Sequence, residues 1–269
     1  MKIFAVRDED DKPRKNLAYL FYHEKSKRFY VELPEDANEW DTPLLLSAYA
    51  MRGKLTVDAA ASLLWVRQRI IPQDRQNIRE ILRDNGLKEY DEYKLLHLAK
   101  GRCAQDSYHL VPLKEENLPK EIEERLQRHI EDVIPLDDFN LLVFFKDGST
   151  RKINLPELVG EDRLFARVLK NDYLFRGVNV LADGFAIAWG SNLELTYNML
   201  WQQGVEVPLT RKDFLSFVDY RVLTTSQATD LLDCTRQNIN YLVDKEKLHT
   251  INKDDKVRLF LKQDLLEVG

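Results

Sequence analysis

The apolar positions between residues 223 and 268 change period twice, and the changes outline a small module. Ala228, Leu231 and Leu232 fall on one face at helical spacing. Thr224 and Gln227 precede them at the spacing of a capping box, in which hydroxyl and amide satisfy two orphan N–H groups. Asp233-Cys234 interrupts the pattern, and Thr235 caps a second helix with Ile239, Leu242 and Val243 as its buried stripe. Arg236, Gln237, Asn240 and Tyr241 are left pointing outward. From 249 to 261 the pattern alternates, which predicts two short strands around Lys253-Asp254-Asp255-Lys256. A closing helical turn begins at Asp264.

Upstream, 3–6 reads as a strand. The aromatic-rich runs 16–23 and 28–33 read as a hairpin across Glu24-Lys25-Ser26-Lys27. Asp41-Thr42-Pro43 opens a helix that ends at Arg52-Gly53. Thr56 caps a helix over 57–69, and Pro72 separates it from a third over 74–84, stopped at Asn85-Gly86. A fourth covers 89–100. Leu118, Ile122, Leu126 and Ile130 step by four along a helix over 119–132, which suits either a connector or a dimer seam. Two hairpins follow, one across Lys146-Asp147-Gly148-Ser149 and one across Asp183-Gly184. A helix is expected over 164–170, a second from an Asn192 cap to 203, and a third from Thr210 to Tyr220.

The fold class is therefore α+β, in four stretches. Residues 1–113 form a small antiparallel sheet plus helices, and 114–135 a connecting amphipathic helix. Residues 136–209 form a second small α+β domain, and 210–269 the terminal module.

Charge narrows the possible partners. The 269 residues carry 40 Lys+Arg and 45 Asp+Glu. The deficit of 5 lies wholly in residues 119–209, with 10 basic and 15 acidic side chains; 1–118 and 210–269 are balanced. Phosphate neutralisation dominates DNA affinity, so only local basic clusters serve nucleic acid here. One such cluster is Arg75, Arg79 and Arg83, which recur every four residues on the expected helix 74–84. They either grip phosphates or form a solvated face laced with ion pairs to Asp74, Glu80 and Asp84. Asp74-Arg75-Gln76-Asn77-Ile78 also echoes Thr235-Arg236-Gln237-Asn238-Ile239, a weak hint of a second helix-turn-helix.

Cys103, with His97 or His109 as base and Asp106 as orienter, is a conceivable nucleophile cluster. Nothing in the spacing fixes that geometry, and packing is the expectation. The cluster is too sparse for zinc, which takes three or four ligands. No catalytic residue, metal or cofactor is expected. Cys103 and Cys234 lie far apart, and that usage fits a reducing cytoplasm. No apolar run approaches the roughly 18 residues of a membrane span.

Two resemblances add to this reading. The pattern Leu-Thr-Thr-Ser-x-Ala-x-x-Leu-Leu-x-Cys-Thr-Arg-Gln-x-Ile from Leu223, ending in Arg-Leu-Phe-Leu-x-x-x-Asp-Leu, resembles the winged helix-turn-helix of excisionase-like and MerR-type DNA-binding modules. It covers about the last 45 residues. The resemblance implies that Arg236, Gln237 and Asn240 read bases beside Thr235 and Tyr241, and that Lys253, Lys256 and Arg258 touch backbone. The stretches 141–155 and 178–200 resemble a small bacterial domain of unknown function, which occurs in operons of toxin–antitoxin character. Its marks are Val-x-Phe-x-Asp-Gly and a late Asp-Gly-x-x-Ile-x-Trp.

The expectation is a cytoplasmic DNA-binding regulator or operon autoregulator, not an enzyme. It acts as a homodimer because paired half-sites enlarge the contact. The seam falls on the 118–130 stripe or the central sheet. The alternative is an interaction adaptor or antitoxin-like protein partner with a structural helix-turn-helix.

Overall fold

A computed structural model describes residues 1–10, 15–190, 193–252 and 257–268. The fold is mixed α+β with small antiparallel sheets. Two compact units divide it, Met1–Val207 and Pro208–Gly269.

The first unit begins with strands β1 (Lys2–Asp8), β2 (Ala18–His23) and β3 (Arg28–Glu32). Helix α1 (Leu44–Ala50) follows, then the two-residue strand β4 (Thr56–Val57) and helices α2 (Ala59–Arg67), α3 (Ile78–Asp84) and α4 (Glu92–Leu98). Strand β5 (Tyr108–Leu113) closes the sheet, whose order is β4-β3-β2-β1-β5. Thr56 lies in a strand, and Asp58 caps α2 by accepting from the Ala61 amide. The expectation of a Thr56 cap fails because pairing of Val31 with Val57 extends the sheet there.

Every residue of β2 is buried. A strand covered on both faces reads as a continuous apolar run rather than an alternation. Phe4, Val6, Ala18, Leu20, Tyr22 and Val31 pack under the helices with Leu46, Trp65, Val66 and Leu96. The opposite face, with Ile3, Tyr19, Phe21 and Tyr30, enters a core built from residues 118–200. The expected boundaries at 113 and 135 therefore do not separate compact units, because the sheet has a covered face on each side of them.

Helix α5 (Lys120–Gln127) carries the stripe noted in the sequence. Leu118, Ile122, Leu126 and Ile130 are all buried in this chain's own core, so the stripe is not a dimer seam. The helix also stops earlier than expected. Ile130–Pro135 is strand β6, paired with β7 (Asn140–Phe145). Strand β8 (Thr150–Asn154) continues that sheet, and α6 (Leu155–Val159) follows, capped by Asn154. The helix expected over 164–170 is a run of turns, and α7 (Asp172–Arg176) comes after it.

Strands β9 (Asn179–Leu181), β10 (Ala186–Trp189) and β11 (Leu193–Thr196) form a second sheet. The Asn192 cap expected for the next helix lies outside the described residues, and α8 (Tyr197–Gln203) starts after Thr196. Strand β12 (Val205–Glu206) joins β8. Gly184 adopts φ +97°, and a Cβ there would stand 2.3 Å from the Ile130 carbonyl oxygen. The Asp183-Gly184 turn thus needs glycine for both its backbone sign and its closeness to β6.

The second unit contains α9 (Arg211–Arg221), β13 (Val222–Thr224), α10 (Thr225–Leu232), α11 (Arg236–Asp244), β14 (Leu259–Leu261) and α12 (Lys262–Val268). Ala228, Ile239, Leu248, Phe260 and Leu265 are its fully buried core. Strand β14 pairs with β13, Leu223 lying opposite Phe260. Among the described residues, the expected partner near 249–252 meets it through Ile251 N–H to the Leu259 carbonyl at 2.8 Å and Leu259 N–H to Asn252 Oδ1 at 2.8 Å. Among the described residues no helix is long and apolar enough to cross a membrane.

Candidate nucleic-acid interface

The geometry around α10 and α11 follows from local chemistry. Thr224 and Gln227 close the capping box at the start of α10, with the Gln227 side-chain oxygen accepting from the Thr224 amide at 2.9 Å. Asp233 ends α10 in the left-handed region at φ 48°. A short polar side chain tolerates that conformation better than a branched one. The next cap is Thr235, whose hydroxyl accepts from the Asn238 amide at 3.2 Å. The chain reverses between the two caps, and Ala228 of α10 and Ile239 of α11 are wholly buried against the same core.

With Ile239 inward, Arg236, Gln237, Asn240 and Tyr241 are all exposed. They occupy positions one, two, five and six of α11, so they share one helical face. Arg236 has no ion pair among the described residues. Arg258, half-buried at the entry to β14, donates from Nη1 to Asn240 Oδ1 at 3.0 Å. The structure thus brings Arg258 beside the α11 face. Lys253 and Lys256, expected on the same wing, lie outside the described residues. Lys245 stands 5.9 Å from the Tyr241 ring centroid, adding a cation to that face.

The second candidate face does not assemble as expected. Arg79 and Arg83 lie on α3, but Arg75 precedes the helix in a turn, where its Nε donates to Asn77 Oδ1 at 3.0 Å. Arg83 Nε is 3.6 Å from Asp84. All three are exposed, and the three-arginine ridge is reduced to a pair on a two-turn helix.

The Cys103 cluster is organised by a side chain that the sequence reading left out of it. Buried Arg69 grips Asp106 through two bonds of 2.9 and 2.7 Å and donates to Cys103 Sγ at 3.3 Å. Its guanidinium lies 4.1 Å from the Trp65 ring centroid. Asp106 is thus committed to an arginine, an arrangement that pins the 101–108 segment to the end of α2.

Two further features of the first unit have no counterpart in the sequence reading. Glu32 on β3 is completely buried, 3.0 Å from Arg125 of α5, and accepts from the Thr56 hydroxyl at 2.9 Å and the Tyr197 hydroxyl at 2.9 Å. Burial pushes its carboxyl up to about 7, against the pull of Arg125, Thr56 and Tyr197 in the other direction. A cavity of about 1010 Å³ opens nearby, bordered by the α2 start, β11 and α8. The signal for the first was a carboxylate inside the apolar run Arg28–Glu32; the cavity has no local signal, because its walls come from five separate segments. Among the described residues no cluster of His, Cys, Asp or Glu could hold a metal ion.

Comparison with protein-family models, curated proteins and solved structures finds no match to this chain.

Proposed function

We propose that this chain is a DNA-binding protein of winged helix-turn-helix type, acting as a transcriptional regulator or an autoregulator of its own operon. The observation that carries the reading is the α11 face. Arg236, Gln237, Asn240 and Tyr241 are exposed together on a nine-residue helix whose start is capped and whose back is buried. Arg and Gln or Asn side chains at a helix start form the paired hydrogen bonds that distinguish guanine and adenine edges in a major groove. Arg258, bonded to Asn240, orients that amide from the side.

The test is fluorescence anisotropy with the DNA upstream of the protein's own gene, at two salt concentrations, for the parent chain and Arg236→Ala. Binding should fall steeply with salt and weaken roughly tenfold or more in the variant, the size of one good base contact. Absence of binding at low salt, or equal binding by the variant, removes the reading.

A second reading, contact with another protein chain, is favoured by α9. Leu215, Phe217, Val218 and Tyr220 on this helix are all exposed. We take the occupant to be a second copy. Helix α9 runs directly into β13, so a pair joined there would set the spacing between two α11 helices, which paired half-sites demand. A monomer in sedimentation equilibrium, at the concentrations used for DNA titration, would remove it.

A further inference from the structure

We propose that His23 and His129 form an acid-sensitive clasp on the Asp183–Phe185 turn, closed while both imidazoles are neutral and released when they take protons. Separate segments of the first unit converge on this turn. His23, at the end of β2, places Nδ1 3.0 Å from Asp183 Oδ2. His129, just beyond α5, hydrogen-bonds to the Asp183 backbone. Lys146, between β7 and β8, donates from Nζ to the Asp183 carbonyl at 3.0 Å. Two residues on, Phe185 is wholly buried, its ring 4.1 Å from His129, 4.8 Å from Tyr30 and 5.0 Å from His23.

The partners fix the tautomers. An ionised carboxylate only accepts, so His23 carries its proton on Nδ1. Nε2 of His129 has no partner among the described residues, so its bond to Asp183 also comes from Nδ1. Nε2 of His23 is likewise buried and unpartnered. The two rings are 1% and 3% exposed. A proton on either Nε2 creates a charged donor with no acceptor and no water, which the closed turn cannot satisfy.

The surrounding charges act in the same direction. Lys146 bears on both rings, the N-terminal ammonium on His23, and the two rings on each other. Glu24, next to His23, is paired with that ammonium and with Lys2. Tyr30 and Tyr197 pack on the rings as neutral phenols, their hydroxyls raised by burial, and Glu32 lies behind Tyr197. Against these stands the Asp183 carboxylate, itself 63% exposed. Release frees Phe185 and the start of β10 from the first sheet. The helix-covered face of that sheet, around Trp65 and Leu96, is a separate core and stays closed.

The inference stands apart from the DNA reading, and its test contains no DNA. NMR of the full chain with isotope-labelled histidine nitrogen reads the tautomers at pH 7.5. Hydrogen exchange with mass spectrometry, corrected for the intrinsic effect of pH, follows opening from pH 7.5 to 5.5. Both residues should be neutral and protonated on Nδ1 at the start. Protection of 182–189 should then fall with the steepness of two protons, approaching about a hundredfold for each tenfold rise in proton concentration, while 59–67 and 92–98 keep theirs. His23→Asn and His129→Asn each retain a donor at the Nδ1 position and should each halve that steepness. Should neither variant fold, the tautomers and the steepness in the parent still decide. A proton on Nε2 of either ring at pH 7.5, a one-proton or absent dependence in the parent, loss of protection spread evenly over residues 1–207, or unchanged steepness in a folded variant would each overturn the proposal.

Discussion

Thr235 stands at the point where the DNA-binding proposal is most exposed to a single atom. Its hydroxyl satisfies the Asn238 amide, and the side chains of Arg236 and Gln237 follow immediately. Thr235→Ala removes the cap at a cost of about 1 kcal/mol. The expected outcome is a lower thermal midpoint for the terminal unit, followed by far-ultraviolet circular dichroism. DNA affinity should fall with it, through fraying of the first turn. An unchanged midpoint would show that the cap is idle. Residue-scale features of this kind were legible in the sequence: Thr224 with Gln227, Thr235, and the outward set on α11 all rest on contacts within four residues. Arg75 is the instructive failure. Its spacing to Arg79 and Arg83 is helical, but the chain is still in a turn at Arg75, because Pro72 and the segment after it delay the helix to Ile78.

At the scale of elements, the terminal unit rests on five buried side chains, and Phe260 is the largest of them. It lies on β14 opposite Leu223 of β13. Phe260→Ala should cost about 3–5 kcal/mol, a large share of what so small a unit can hold. All four tryptophans, at 40, 65, 189 and 201, lie outside residues 208–269. The variant should therefore lose helical circular dichroism at low urea while the tryptophan fluorescence transition keeps its midpoint. A single coincident transition, unshifted from the parent, would refute the account. Sequence alternation located this strand and its neighbour near 249–252, which bonds to Leu259 through Ile251, but did not give β13, with which it forms a ladder. Alternation reports which residues face a core, and Phe260 does so whether its neighbour is 249–252 or 222–224; only the path of the chain chooses.

At the scale of the whole first unit, buried titratable groups make stability depend on pH. His129 is 3% exposed, its ring 4.1 Å from Phe185 and 4.7 Å from Tyr197. Burial, then Lys146 and His23, hold its imidazole well below the ordinary histidine value. The folded state thus resists a proton that the unfolded chain accepts below about pH 6.5, so stability is lost as pH falls through that value. The loss grows as pH falls further below it. His129→Leu should remove it, so the difference in urea midpoint between variant and parent should shift in the variant's favour from pH 7.5 to 5.5. Glu32 works in the opposite sense. Its raised folded value means the folded state holds a proton that the unfolded chain releases, so its contribution declines as pH rises from about 4.5 to 7. A pH-independent difference between the parent and His129→Leu would contradict the buried neutral imidazole.

The sequence by itself determined the α+β class, most strands and hairpins of the first unit, the capped helix pair near the end, and the outward set on α11. These depend on periodicity, turn chemistry and capping, which act over a few residues. The tertiary structure alone decided where the stripe on α5 goes, that the first sheet is covered on both faces, which strand pairs with β14, and that Glu32 meets Arg125, Thr56 and Tyr197. It also decided that His23 and His129 converge on Asp183. A periodic apolar stripe states that a face is buried without naming what buries it. A polar side chain finds or lacks its partner only after segments more than a hundred residues apart have been packed together.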